Sequence, residues 1–152
     1  MMLTQKETSL LEDLKSQEKL CIEKYGKYSE AACDPELKNL FNKIQNAEQT
    51  HLQTITQILG GTEVKMQEAP PTAVSAKLEC KISSCSEEQK KNDAYLCQDA
   101  LAMEKHVSSV YDTSVFEFTS PVLRDTLAHI QKEEQNHGEQ LYNYLSCNNM
   151  YC

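Results

Sequence analysis

The chain has 152 residues, a formal net charge of -8, no Trp and only 4 Gly. That length suits one domain with a real hydrophobic core, and the acidic balance argues against a nucleic-acid partner, because phosphate binding draws on a basic face. No apolar run approaches the roughly 18 residues that a membrane span needs, so no membrane partner is expected either.

The opening MMLTQKETSLLEDL turns polar after Leu3, so it does not read as a signal peptide, and synthesis in the cytoplasm is expected. Thr4-Gln5-Lys6-Glu7 has the form of a capping box and opens a first helix that reaches about Ala32. Asp34-Pro35 supplies an N-cap and an N1 proline for a second helix, which ends at Gly60-Gly61. Residues 62–85 hold Pro70-Pro71 and no sustained periodicity, so they read as a long connection. Ser86-Glu87-Glu88-Gln89 is a second capping box, and the third helix runs from it to about Phe118. Ser120-Pro121 then opens a fourth helix that reaches Leu145, before a tail at 146–152.

The expected fold is therefore all-α: one domain over 1–152, built from helical hairpins at about 4–61 and 86–145 with a crossover at 62–85. A crossover of that length lets the third helix start at the same end as the second.

A repeat changes the weight of the polar residues. Shifting the sequence by 86 lays Glu18-Lys19 on Glu104-Lys105, Tyr25 on Tyr111, Pro35 on Pro121 and Ile44-Gln45 on Ile130-Gln131. The same shift lays Glu48-Gln49 on Glu134-Gln135 and His51 on His137, with no gap. The heptad seams show where these residues point. The first helix reads Leu11, Leu14, Glu18, Cys21, Tyr25, Tyr28, Ala32, and the second Leu37, Phe41, Ile44, Glu48, His51, Ile55, Ile58. The second hairpin repeats the rhythm through Glu104, Glu134 and His137. Such seams pack inward, so six ionisable residues occupy positions reserved for core.

Their heights agree. Glu18 and Glu48 lie 16 and 14 residues to either side of Asp34, and Glu104 and Glu134 flank Ser120 by the same 16 and 14. Four carboxylates and two imidazoles then converge on one layer, where uncompensated charge would cost many kcal/mol or force protonation. Two divalent cations would balance four negative charges. With 17 Glu and 4 His in 152 positions, chance supplies roughly half a Glu-x-x-His match, so one match alone carries little. Two at a fixed offset, each with a Glu 30 residues upstream and all in the seam, point to a dinuclear site. A proton-sharing polar core without metal is the competing reading. Tyr25 and Tyr111 are read as core residues whose hydroxyls support the site without ligating, and His106 and His129 as ordinary surface histidines. No catalytic residue is assigned.

The 7 cysteines are an odd number and, without an export signal, compel no disulfide framework. Reduced thiols, with Cys21 and Cys97 in the core, are the plain expectation. Cys80 with Cys85 and Cys147 with Cys152 could form a four-thiolate metal site, but the Cys-x-x-Cys knuckle is absent. Oxidative cross-linking through these pairs is the preferred alternative.

A Glu from each of two helices plus Glu-x-x-His from each of two others resembles the constellation of ferritin-like di-iron and di-manganese proteins. More narrowly, LTQKETSLLEDLKSQEKLCIEKY and SPVLRDTLAHIQKEEQNHGEQLYNYLSCNNMYC resemble the Coat F family of spore coat proteins. The resemblance implies a ferritin-like four-helix bundle, a place in the bacterial spore coat and other coat proteins as partners. That family tolerates loss of ligand residues, whereas this chain keeps all six. No rubredoxin-like Cys-x-x-Cys pairs follow the bundle, which departs from a two-domain rubrerythrin. Two functions are carried forward. One is an oxidoreductase of peroxidase, catalase or ferroxidase type whose two ions, Fe before Mn or Zn, are bridged by Glu48 and Glu134 and bound terminally by Glu18, His51, Glu104 and His137. The other is a structural coat component in which metal only stabilises the bundle or the site is vestigial. Iron storage is the third and least favoured, and a homodimer is compatible with the sequence.

Overall fold

The computed structural model describes residues 1–65 and 80–151. Residues 66–79 of the expected crossover and Cys152, one member of the suggested four-thiolate site, lie outside the described residues. Among the described residues there are four helices: α1 (Gln5–Ala31), α2 (Pro35–Leu59), α3 (Glu87–Val115) and α4 (Pro121–Cys147). None of them, among the described residues, is long and apolar enough to cross a membrane.

Local chemistry starts each helix where the sequence indicates. Thr4 and Glu7 close one capping box, Ser86 and Gln89 the other, and Asp34 and Ser120 cap helices that begin on proline. Two ends differ from expectation. Helix α3 stops at Val115, yet Phe118 beyond it is only 3% exposed, so the apolar seam outlasts the helix that carries it. Helix α4 continues two residues past Leu145 to Cys147, before Asn149 turns the chain with a φ of 54°.

Helix α1 packs on α2 and α3, and α4 packs on α3 and α2. Hydrogen bonds fix the direction of the crossover. Asp93, near the start of α3, accepts from the backbone N–H groups of Cys33 and Asp34 in the α1–α2 turn, at 2.8 and 3.0 Å. The third helix therefore starts at the end where the second starts, as expected for a crossover connection.

The repeat governs this bracing as well. Glu7, the counterpart of Asp93, accepts from the N–H and hydroxyl of Thr119 in the α3–α4 turn at 2.9 and 3.0 Å. Each hairpin thus lends a buried carboxylate to the turn of the other, supplying partners for N–H groups that have none within their own helix. Gln45 and Gln131, also counterparts, reach back to the carbonyls of Ile22 and Ser108 at 2.9 and 3.0 Å, tying each hairpin internally.

Two disulfides, Cys33–Cys85 and Cys80–Cys147, join the segment before α3 to the α1–α2 turn and to the end of α4. Their Cα–Cα distances of 6.5 and 5.7 Å lie within the ordinary range for a disulfide. This corrects two expectations. These four cysteines are not reduced thiols, and Cys80, Cys85 and Cys147 are not arranged as thiolate ligands. Cys33, left out of both suggested pairs, is a partner because the crossover returns the chain to the α1–α2 turn. Cys21 and Cys97 are free and buried, as expected.

Candidate metal centre

Midway along the bundle, the seam of every helix turns polar. Glu18, Glu48, His51 and Glu134 are 0% exposed, Glu104 is 2% and His137 is 7%. The packing of α1 against α3 and of α2 against α4 brings all six together. They form two overlapping groups, Glu18, Glu48, His51, Glu134 and Glu48, Glu104, Glu134, His137, each with its ligand atoms within 4.8 Å of one another. Glu48 and Glu134 belong to both groups.

Both histidines turn Nδ1 inward. His51 Nδ1 lies 2.8 Å from Glu134 Oε1 and 3.4 Å from Glu48 Oε2, and His137 Nδ1 lies 3.0 Å from Glu48 Oε1. The two lone carboxylates are held by tyrosines from the other hairpin. Tyr25 donates to Glu104 Oε1 and Tyr111 to Glu18 Oε1, each at 2.5 Å. Both tyrosines are fully buried and act as the sequence suggests, supporting a carboxylate rather than joining the cluster.

Sequence reasoning missed Glu133. It lies one residue off the seam on α4 and looks like a surface residue, but it reaches across to hydrogen-bond His51 Nε2. Its second oxygen lies 2.8 Å from His129 Nε2, so His129 is a half-buried partner of the site's periphery rather than an ordinary surface residue. His106 is exposed, as expected. The signal available in the sequence was the repeat itself, because Glu133 stands where the first hairpin has Ala47.

The electrostatics are those of a crowded anionic core. Burial, reinforced by Glu48 and Glu134, raises Glu18 well above the carboxylate range. Burial and the neighbouring Glu134 push Glu104 up to about 9. Burial also disfavours the ionised form of Glu48, but hydrogen bonding from Glu18, His137 and His51 outweighs it and holds that carboxyl below its ordinary value. Burial would lower both imidazoles. Their hydrogen bonds to carboxylates win, and raise His51 to about 12 and His137 to about 11. Without metal, then, protons on the histidines and outer carboxyls carry the compensating charge.

The residues are of a kind and arrangement that could hold metal ions. Among the described residues, the ion pairs of the four carboxylates are made with the two histidines and with no lysine or arginine. Glu18 Oε2, Glu104 Oε2 and Glu134 Oε2 are buried without a hydrogen-bond partner among those residues, and Glu48 Oε1 and His137 Nδ1 are buried with each other, at 3.0 Å, as nearest polar contact. Buried oxygens are rarely left so, and three of them beside two inward-facing imidazoles suit an ion. Mixed carboxylate and imidazole donors suit Fe, Mn or Zn.

Comparison with known proteins agrees on the fold. Residues 92–151, most of the second hairpin and the tail, match the Coat F domain family. The first of the two stretches that resemble that family, near the N-terminus, lies outside the match. A two-domain protein of Anabaena variabilis, described as containing DJ-1/ThiJ/PfpI-like and ferritin-like domains, superposes with a TM-score of 0.70 at 19% identity over 94% of this chain. This chain spans 40% of that protein's length. No curated protein matches the chain. The fold is thus a ferritin-like four-helix bundle, and its second half is similar to a Coat F domain.

Proposed function

We propose that the chain is a spore-coat protein that holds a dinuclear Fe or Mn centre and uses it to reduce peroxide or dioxygen. The observation that carries this reading is the pair of four-residue groups that share Glu48 and Glu134. Shared residues are what two adjacent ions require. Glu48 and Glu134 would be held in common by the two ions, with Glu18 and His51 completing one position and Glu104 and His137 the other. Two adjacent redox-active ions held there would supply the two electrons needed to cleave an O–O bond, with an external electron donor or a second peroxide restoring the reduced pair.

The protein's own groups prepare that site. Tyr25 and Tyr111 each occupy one oxygen of a terminal carboxylate and leave the other free. Glu133 holds His51 by its outer nitrogen, which fixes the tautomer that presents Nδ1. The apolar seams above and below keep bulk water from the carboxylates, so the charge of a bound ion is weakly screened. The likeness of residues 92–151 to the Coat F domain supports a spore-coat setting with other coat proteins as partners, and a disulfide-linked end suits such a setting.

Those two disulfides also favour a second reading, a structural coat component stabilised by metal without turnover. Peroxide consumption by metal-loaded protein separates the two. On the redox reading, the wild type consumes peroxide and Glu48→Ala, which lacks a bridge, does not. Equal rates in the two would leave the structural reading.

A further inference from the structure

The two halves of the repeat differ at one place that bears on how an ion reaches the carboxylates. His51 and His137 are counterparts, but their outer faces are not alike. Glu133 covers the outer nitrogen of His51, whose ring is wholly buried. On the His137 side the corresponding residue is Ala47, which has no carboxylate to reach the imidazole. A cavity of about 300 Å³ opens there between α2 and α4, with Lys43, Ala47, Glu133, Asn136, His137 and Gln140 in its wall. At roughly 30 Å³ per water molecule, that is room for several waters. Within the wall, Gln140 Oε1 is buried and has no partner among the described residues.

We propose that this cavity is the entrance through which divalent cations reach the cluster, and that Ala47 keeps it open. The inference rests on the dinuclear reading above and adds to it an inequivalence of the two halves. A hydrated ion must exchange its waters for protein donors before it can pass between packed helices. Asn136 and Gln140 offer neutral amide oxygens, which hold a hard cation weakly enough to release it inward. The ring of His137 has free space on its outer side into which it can swing. His51 has none, because Glu133 grips it. His137 is accordingly the movable ligand and His51 the fixed one. Lys43 is exposed at the rim, and Glu133 in the same wall carries the opposite charge.

Metal-free full-length protein mixed rapidly with Co(II) alone tests this, with the absorption of the bound ion giving both rate and stoichiometry. Ala47→Leu fills the cavity and should load about tenfold more slowly or worse, a modest rise in barrier, while reaching the wild-type Co(II) content. Ala47→Val, a smaller plug on the same helix, should fall between and guards against loss of fold in the larger variant. Two ions bound at wild-type rates in both variants would overturn the entrance and leave the dinuclear site standing. No Co(II) uptake by the wild type would overturn both.

Discussion

The hydroxyl of Tyr25, on α1, donates to Glu104, on α3, at 2.5 Å across the core, and Tyr111 returns the same bond from α3 to Glu18 on α1. In both carboxylates Oε1 is occupied and Oε2 has no partner among the described residues. Each hairpin therefore aims the terminal carboxylate of the other, and leaves it one free oxygen.

Loss of either hydroxyl should weaken the site without dismantling it. Tyr25→Phe and Tyr111→Phe should each reduce metal affinity by about 10–100-fold, measured by competition with a chelator. The two effects should be of similar size, because the residues are repeat counterparts. A large effect in one and none in the other would contradict the symmetry.

Glu7 provides a pH signature away from the centre. It is 2% exposed; burial opposes its ionisation, but hydrogen bonds from Thr119 and Thr4 outweigh that and hold its pKa below the ordinary 4.5. With the folded value depressed, its stabilisation is present above the unfolded value and is lost as pH falls through the folded one. Glu7→Gln should be less stable than wild type by about 1–3 kcal/mol at neutral pH. That deficit should shrink as thermal melts are taken from pH 5 towards pH 3. A deficit that grows on acidification would contradict the assignment.

Asp93 caps the α1–α2 turn from the other hairpin and is fully buried. Asp93→Ala leaves two N–H groups without their acceptor and should cost about 3 kcal/mol in a urea titration, far more than a surface substitution.

The disulfides close long separations of 52 and 67 residues. Cys85→Ser or Cys147→Ser should each destabilise metal-free protein by about 2–4 kcal/mol while its helical circular dichroism persists. Thiol labelling of unreduced, denatured wild type followed by peptide mapping should mark Cys21 and Cys97 and leave Cys33, Cys80, Cys85 and Cys147 unmarked.

Much of the bundle was legible because its signals are local or periodic. Capping boxes and Ser/Asp-Pro pairs mark the four starts, and the seam marks the buried face. The convergence of Glu18, Glu48, His51, Glu104, Glu134 and His137 followed from height and repeat together. The missing parts depend on contacts between helices. Glu133 stands outside the seam, and only the packing of α4 against α2 gives it His51 as a partner. Cysteine connectivity cannot be read from spacing, since even four cysteines allow three pairings. The end of α3 was overrun because Phe118 keeps the apolar rhythm after the backbone has left the helix. The Ala47 cavity was hidden by the same cause, as only the packed helices show what a missing carboxylate leaves open.

The most direct test of the central claim is the metal content of protein purified without chelator and then offered Fe(II) anaerobically, with the positions located by anomalous scattering. Close to two ions per chain are expected, one in each of the overlapping groups that share Glu48 and Glu134. Protein that is metal-free as purified and takes up no Fe(II) would contradict that claim.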